Sequence, residues 1–552
     1  MRFSRTSKAL GVAAVVAMAL TACGGGDSTA KDNGSSGAGN PSKVITAYGG
    51  EPQNPLLPAN TNEVFGGRVM DLLFSGLESY DASGKPVLEM ADSIKTTDSQ
   101  NYTIKIKSGQ KFSDGSPITA KNFVDAWNFG ALSTNAQLNS YFFESIEGYD
   151  AVSAMSKDGK TAAPTAQTMS GLKVVDDTTF TVKLSQPESD FPLRLGYTAF
   201  YPLPEAAIKD PKAYGEKPVG NGPYTLKSWQ HNAELDLVPN PSYSGPRKAK
   251  NGGVTFKVYT TADAAYQDLL SDNLDVLDGI PASSIKSFQQ DLGDRSIVKA
   301  YAGNATITIP SYLKAFQGEA GSLRRQAISK SINRDLIIDK IFNKTKKAAK
   351  DFTAPVIDGY SDSIPGSDVL TYDAAAAKKL WDQANAITPW DDSTFTIAYN
   401  VDGAGNKEYV DAAANQIKNS LGIKAEGKPY ATFKELRNVI GKKNLTGAAR
   451  AGWQGDYPSL YNFLGPLYGT GAGSNDGDYS NPKFDAKLKE GLSAKSAEEG
   501  NKAFNEAQEI LFKDLPVIPL WYQSQTGGWS NNVANVDFGW NGVPLYNNIT
   551  GK

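Results

Sequence analysis

The chain has 552 residues, 40% of them hydrophobic, and sets 56 Lys and Arg against 59 Asp and Glu. That near balance, with no basic run longer than Lys346-Lys347, excludes the electrostatic footprint of a nucleic-acid binder. A single histidine, His231, and a single cysteine, Cys23, exclude an internal disulfide framework and an HExxH zinc site.

The chain opens with Arg2, Arg5 and Lys8, then an apolar stretch from Ala9 to Leu20, then Thr21-Ala22-Cys23. A charged start, a short apolar segment and small residues describe a secretory signal peptide over residues 1–22. Twelve residues rise only ~18 Å as a helix, too little for a hydrocarbon core of about 30 Å, so the segment targets rather than spans. Leu20-Thr21-Ala22-Cys23 resembles the bacterial lipobox, which implies diacylation of Cys23; two acyl chains give stable membrane attachment. Residues 23–42 hold nothing apolar larger than alanine between Gly24 and Pro41. They are expected to form a flexible tether with a span of roughly 23 Å.

The body begins at residue 43 and mixes two periodicities. Tyr102 to Ile106 and Phe180 to Leu184 alternate with period two after polar turns, as half-buried strands do. Helical spacing runs from Ala120 to Trp127 with Thr119 as N-cap, from Leu323 to Ile332, from Asp373 to Trp381 and from Asn501 to Phe512. Strands and helices alternate throughout, so the fold class is α/β. About 510 residues exceed one hydrophobic core and predict two or more lobes.

Catalytic motifs are missing from the sequence. It has no G-x-S-x-G elbow and no Walker A loop, and no motif calls for a cofactor or a metal. His231 sits in Trp229-Gln230-His231-Asn232-Ala233 and reads as a surface-turn residue. Gly471 to Asp478 lacks the ligand spacing of a calcium loop and reads as a flexible connection.

Four segments in order carry a resemblance. Lys111-Phe112-Ser113-Asp114-Gly115-Ser116-Pro117-Ile118-Thr119-Ala120 resembles the "KFSDGxP[VI]TA" motif of the oligopeptide- and dipeptide-binding family of ABC-importer solute receptors (family 5). Val219-Gly220-Asn221-Gly222-Pro223-Tyr224 resembles its "VGTGPY" strand, Leu323 to Ile328 its "[VL]RQAI" and Leu515 to Leu520 its "PxIPL". Taken singly, each also reads as scaffold: Ser113-Asp114-Gly115 is a turn that needs glycine, and Asn221-Gly222 suits a tight turn.

The resemblance implies a two-lobe periplasmic-binding-protein-like fold of class II type, with an extra domain (about residues 78–175) inserted in the N-terminal lobe. The N-terminal lobe would span 43–300, the second lobe 301–513, and residues 514–552 would return to the first. It further implies a non-enzymatic, monomeric receptor on the extracytoplasmic face of the bacterial membrane, serving membrane ABC permease subunits. Arg450-Ala451-Gly452-Trp453-Gln454-Gly455-Asp456-Tyr457 resembles the family's cleft segment "GWxxDY". By that likeness Asp456 meets a peptide's N-terminal ammonium, Gly452, Trp453 and Tyr457 wall the cleft, and Arg450 meets the ligand carboxylate. Two departures stand out: Ser75 in Leu73-Phe74-Ser75-Gly76-Leu77 replaces a cleft glutamate of relatives, and Tyr301 to Ile307 lacks their "FN". A short peptide is therefore the expected ligand, with an oligosaccharide or other solute as the alternative and a secreted hydrolase as a remote one.

Overall fold

A computed structural model describes residues 40–154, 163–401 and 405–552; Cys23, the signal segment and nearly all of the tether lie outside the described residues. The backbone of the architecture is one mixed sheet. Its strands run in the order Ala425–Tyr430, Phe395–Asn400, Ala448–Gln454, Ser296–Thr308, Val517–Trp529, Val276–Asp278, Val44–Gly49, Gly253–Val258, Glu234–Pro239 and Tyr224–Gln230, with Lys347–Ala348 also pairing with Val517–Trp529.

Two hydrophobic cores divide this sheet. One is built on residues such as Ile45, Leu73, Phe74, Trp127 and Phe256, the other on Ile307, Trp381, Ile397, Phe463 and Trp521. The two 13-residue strands, Ser296–Thr308 and Val517–Trp529, pair antiparallel and run from one core to the other. Their burial pattern shows why they can. Ile297–Tyr301 alternates half-buried and exposed positions, whereas Ala302–Thr308 is buried on both faces, as strands covered on both sides are. Trp521, buried to 1% exposure, alone removes about 150–250 Å² from water, roughly 4–6 kcal/mol of gross transfer energy.

The pairing breaks where the cores meet. Ala300 lies opposite Ser524 and Asn304 opposite Tyr522, so Tyr301–Gly303 bulge out against Gln523. A bulge bends the strand and removes ladder hydrogen bonds. The bulged Ala302 bonds elsewhere, its N–H to the Trp540 carbonyl at 2.7 Å and its carbonyl to the Gly455 N–H at 2.8 Å. Val517, Ile518, Leu520 and Trp521 pack in the second core, although the resemblance implies a return to the first lobe from residue 514.

The extra layer on the first lobe is a four-stranded antiparallel sheet, Ala91–Lys95, Asn101–Ile106, Thr179–Lys183 and Leu172–Asp176 in spatial order. The alternating segments that begin at Tyr102 and Phe180 are neighbouring strands in it, with Tyr102 opposite Val182 and Ile104 opposite Phe180. The layer reaches Lys183, beyond residue 175, because Thr179–Lys183 is one of its two central strands. The helix Ala120–Ala131 covers it, with Phe123 stacked on Phe180 at 5.9 Å and Trp127 edge-on to Phe180 at 5.5 Å. Thr119 caps that helix, and its N–H donates to Asn122 Oδ1 at 2.8 Å.

Candidate functional site

The strand Ala448–Gln454 has one closed edge and one open one. From Ala449 to Gln454 it pairs with Ser296–Thr308, but its other neighbour, Phe395–Asn400, reaches only Ala448 and Ala449. From Arg450 to Gln454 no described strand covers the outer edge. Gly452 is exposed there, and its lack of a side chain is required: a Cβ would approach the Asn304 carbonyl oxygen to 2.6 Å.

Past Gln454 the chain turns, and Asn462 fixes the turn. Buried to 1% exposure in the helix Leu460–Tyr468, its Oδ1 accepts from the Trp453 indole N–H at 2.9 Å and from the Asp456 backbone N–H at 3.0 Å. Its Nδ2 donates to Asp456 Oδ2 at 3.2 Å. One amide therefore sets both the tryptophan and the carboxylate. The helix itself begins at Ser459, whose Oγ accepts from the Tyr461 N–H and donates to Asp190 of the first lobe at 3.2 Å.

Asp456 is half-buried and has no ion-pair partner among the described residues. Burial raises its pKa to about 6, and the single Asn462 bond only partly offsets this. The carboxyl lines a cavity of about 300 Å³ between the lobes, with Tyr80, Tyr197 and Arg247 from the first lobe and Trp540 from the returning segment. The rings of Tyr80 and Trp540 meet edge-on at 5.4 Å. A second cavity of about 210 Å³ abuts Ala451, Gly452 and Trp453, with Phe433 and Leu467 in its wall. The two cavities thus take consecutive stretches of the same strand and turn.

Other residues singled out by the sequence lie elsewhere. Arg450 is half-buried beneath Phe433, its guanidinium 5.8 Å from that ring and 3.0 Å from Asn400 Oδ1, with no carboxylate at ion-pair distance among the described residues. Tyr457 does not face the cleft: at 3% exposure it packs into the first lobe's core under Arg194, 5.5 Å from its ring. Ser75 is also internal, its Oγ donating to Glu89 at 2.6 Å; Glu89 in turn pairs with Arg247 at 2.9 Å. His231 is in an exposed turn but engages Glu51 at 2.7 Å and Glu216 at 3.0 Å. The Gly471–Asp478 loop is tied down, since Asp476 pairs with Arg437 and Asp478 with Lys443. Among the described residues no cluster of three or more His, Cys, Asp or Glu could hold a metal, and no helix is long and apolar enough to cross a membrane.

Asn462 had a local clue, its place six residues after Asp456 on an N-capped helix, whereas Tyr80, Tyr197 and Trp540 had none. They reach the cavity only through tertiary folding.

The structure thus sets a cavity of about 300 Å³ between two lobes linked by paired 13-residue strands. Residues 85–475, well over half of the chain, match the model of the bacterial extracellular solute-binding proteins, family 5 (middle region). The chain belongs to that family, whose members bind solutes rather than transform them. It is 27% identical to the periplasmic murein peptide-binding protein MppA of Escherichia coli, over 82% of this chain and 83% of that one. With the oligopeptide-binding protein OppA of Bacillus subtilis it shares 24% over 95% of both. The fold matches the solved Escherichia coli murein tripeptide binding protein MppA, with TM-score 0.74 at 23% identity, covering 92% of this chain and 98% of that one. It also matches Haemophilus influenzae OppA in complex with RPPGFSPFR, with TM-score 0.73 at 24% identity, covering 93% and 99%.

Proposed function

We propose that this protein is a monomeric, lipid-anchored receptor that captures short peptides outside the cell and hands them to membrane ABC permease subunits. The observation that carries the reading is Asp456, an ionisable group held in an interlobe cavity with no cationic partner among the described residues, beside a strand edge that no described strand covers. An extended peptide supplies what both lack. Its main chain can add to the Arg450–Gln454 edge, and its terminal ammonium can pair with Asp456. Arg450, at the other end of that edge and also without a carboxylate, would take the ligand's carboxylate. Gly452 and Trp453 would wall the path between them. Tyr457 has no ligand role in this reading.

Micromolar capture needs about −8 kcal/mol net, within reach of main-chain pairing and two charge partners. Closure of the lobes would bend the crossing strands at the Tyr301–Gly303 bulge. The lobes would then be 43–300 with 523–552, and 301–522. The relatives' names, murein peptide-binding and oligopeptide-binding, support a peptide ligand, and the Cys23 context supports the lipid anchor. The rings of Tyr80, Tyr197 and Trp540 at the same cavity favour the second reading, an oligosaccharide stacked on aromatic faces.

Native mass spectrometry of the purified protein separates these readings. Bound masses spaced like amino-acid residues are the expected result, and hexose-spaced masses would replace peptide with sugar. For the anchor, palmitate incorporation should disappear in Cys23→Ala; unchanged labelling would remove the lipoprotein assignment.

A further inference from the structure

The cavity at Asp456 is far larger than one ammonium group requires. At roughly 30 Å³ of liquid per water, its 300 Å³ holds about ten waters, room for side chains of the ligand's first residues. Its charges are one-sided. Glu63, Asp71, Asp81 and Asp456 line it, against Arg68 and Arg247. Both arginines are already held from behind by buried carboxylates. Arg68 pairs with Asp278, and Arg247 binds Glu89 at 2.9 Å while spending its remaining nitrogens on the carbonyls of Asp71 and Phe74. No lysine lines the cavity. Two guanidinium groups therefore face six carboxylates, and neither is free for a ligand anion.

The four lining acids are not equivalent. Glu63 caps a helix, accepting from the Phe65 and Gly66 N–H groups at 2.8 Å, and Asp456 is assigned to the ligand amine. Asp81 uses only Oδ1, which accepts from Ser83 N, Ser83 Oγ and Lys85 N at 2.6–3.0 Å; its Oδ2 has no partner among the described residues. Asp71 is about half exposed, 3.1 Å from both Arg247 Nη1 and the Tyr201 hydroxyl. These two carboxylates sit in the same cavity as the amine site and have capacity left over.

We propose that the cavity selects peptides carrying a lysine or arginine side chain within their first two residues, with Asp81 and Asp71 as the specificity-determining carboxylates. The inference rests on the peptide reading above and deepens it. Arg247 already pairs with Asp71 and the Lys85 charge already acts on Asp81, so an anionic side chain placed there would meet an excess of like charge, which is the repulsive half of the selection.

The test is calorimetric titration of the protein with four free-amine tetrapeptides: Lys-Ala-Ala-Ala, Ala-Lys-Ala-Ala, Ala-Ala-Ala-Ala and Ala-Glu-Ala-Ala. At least one lysine peptide should bind about tenfold more tightly than tetra-alanine, the yield of one added charge partner at ~1.4 kcal/mol, and the glutamate peptide should bind more weakly than tetra-alanine. Asp81→Asn, which keeps an oxygen for the turn, and separately Asp71→Asn should each shrink the lysine-to-alanine ratio. Equal binding of all four peptides, or ratios unchanged in both variants, would overturn this inference and leave the peptide reading standing. Binding of none would overturn the peptide reading and this inference with it.

Discussion

Glu89 and Asp456 are two carboxylates of one protein with opposite surroundings. Glu89 is buried to 3% exposure behind the first lobe's wall, where Arg247, Ser75 and Tyr243 all bond to it. Burial works to raise its pKa, but the Arg247 charge and these bonds outweigh it and leave the group below its ordinary value. Asp456 is less deeply buried but has only an amide to offset its burial, and its pKa is raised to about 6. The first site is complete without a ligand. The second is charged, half-desolvated and short of a cation, which is the state a receptor must hold before its ligand arrives.

The largest stability effect should come from breaking the complete site. Glu89→Ala leaves the Arg247 guanidinium buried without its main partner, and such losses typically cost about 3–5 kcal/mol. Urea unfolding should show it; a loss under about 1 kcal/mol would mean that Asp71 and the backbone carbonyls satisfy Arg247 without Glu89. Asp456→Asn should act in the other direction. A carboxyl whose folded pKa is raised contributes favourably below its unfolded value near 4, and that contribution is lost as pH rises through about 6. At pH 7 its removal should therefore stabilise the unliganded protein, by about 1–3 kcal/mol for a rise from 3.8 to about 6. Destabilisation by Asp456→Asn would put the two carboxylates in the same structural class.

The pH dependence of binding sharpens the contrast. An ammonium pairs with the ionised form of Asp456, so affinity for free-amine peptides should be level above about pH 6 and fall by up to tenfold per unit below it. Affinity that holds constant down to pH 4.5 would show that Asp456 is not the partner. The smallest effect belongs to His231. Glu51 and Glu216 raise its pKa, so any stabilisation is present below about 6.5 and lost as pH rises through the raised value. Its ring is half exposed, and His231→Ala should change stability by under about 0.5 kcal/mol at pH 6.

The sequence was informative where one local pattern decides the outcome. Period-two alternation at Tyr102–Ile106 and Phe180–Leu184 marked real strands, and Asp373 and Thr119 marked helix starts. The turn holding Asp456 was found through its likeness to a known segment, since one aspartate among 59 acidic residues carries no mark of its own. Tyr457 escaped because an aromatic beside a cleft residue suits cleft and core equally; only the position of Arg194, far away in the chain, decides. The packing of Val517, Ile518, Leu520 and Trp521 in the second core had no local mark, because the strand Val517–Trp529 runs on through them without a break. Asp71, Asp81 and Trp540 come from three separate segments, and nothing local predicts their convergence.

The central claim is that Asp456 is an anion waiting for a ligand cation, and a double-mutant cycle between protein carboxylate and ligand amine tests it most directly. Calorimetric titration would compare the native protein and Asp456→Asn, each with a free-amine peptide and its N-acetyl form. Removing one partner of a desolvated pair at about 3–5 kcal/mol, the account predicts a loss of roughly two to three orders of magnitude for the free-amine peptide. The acetylated peptide should bind weakly to the native protein and lose little more on mutation. Equal losses for the two peptides would contradict the claim and leave Asp456 as a structural carboxylate like Glu89.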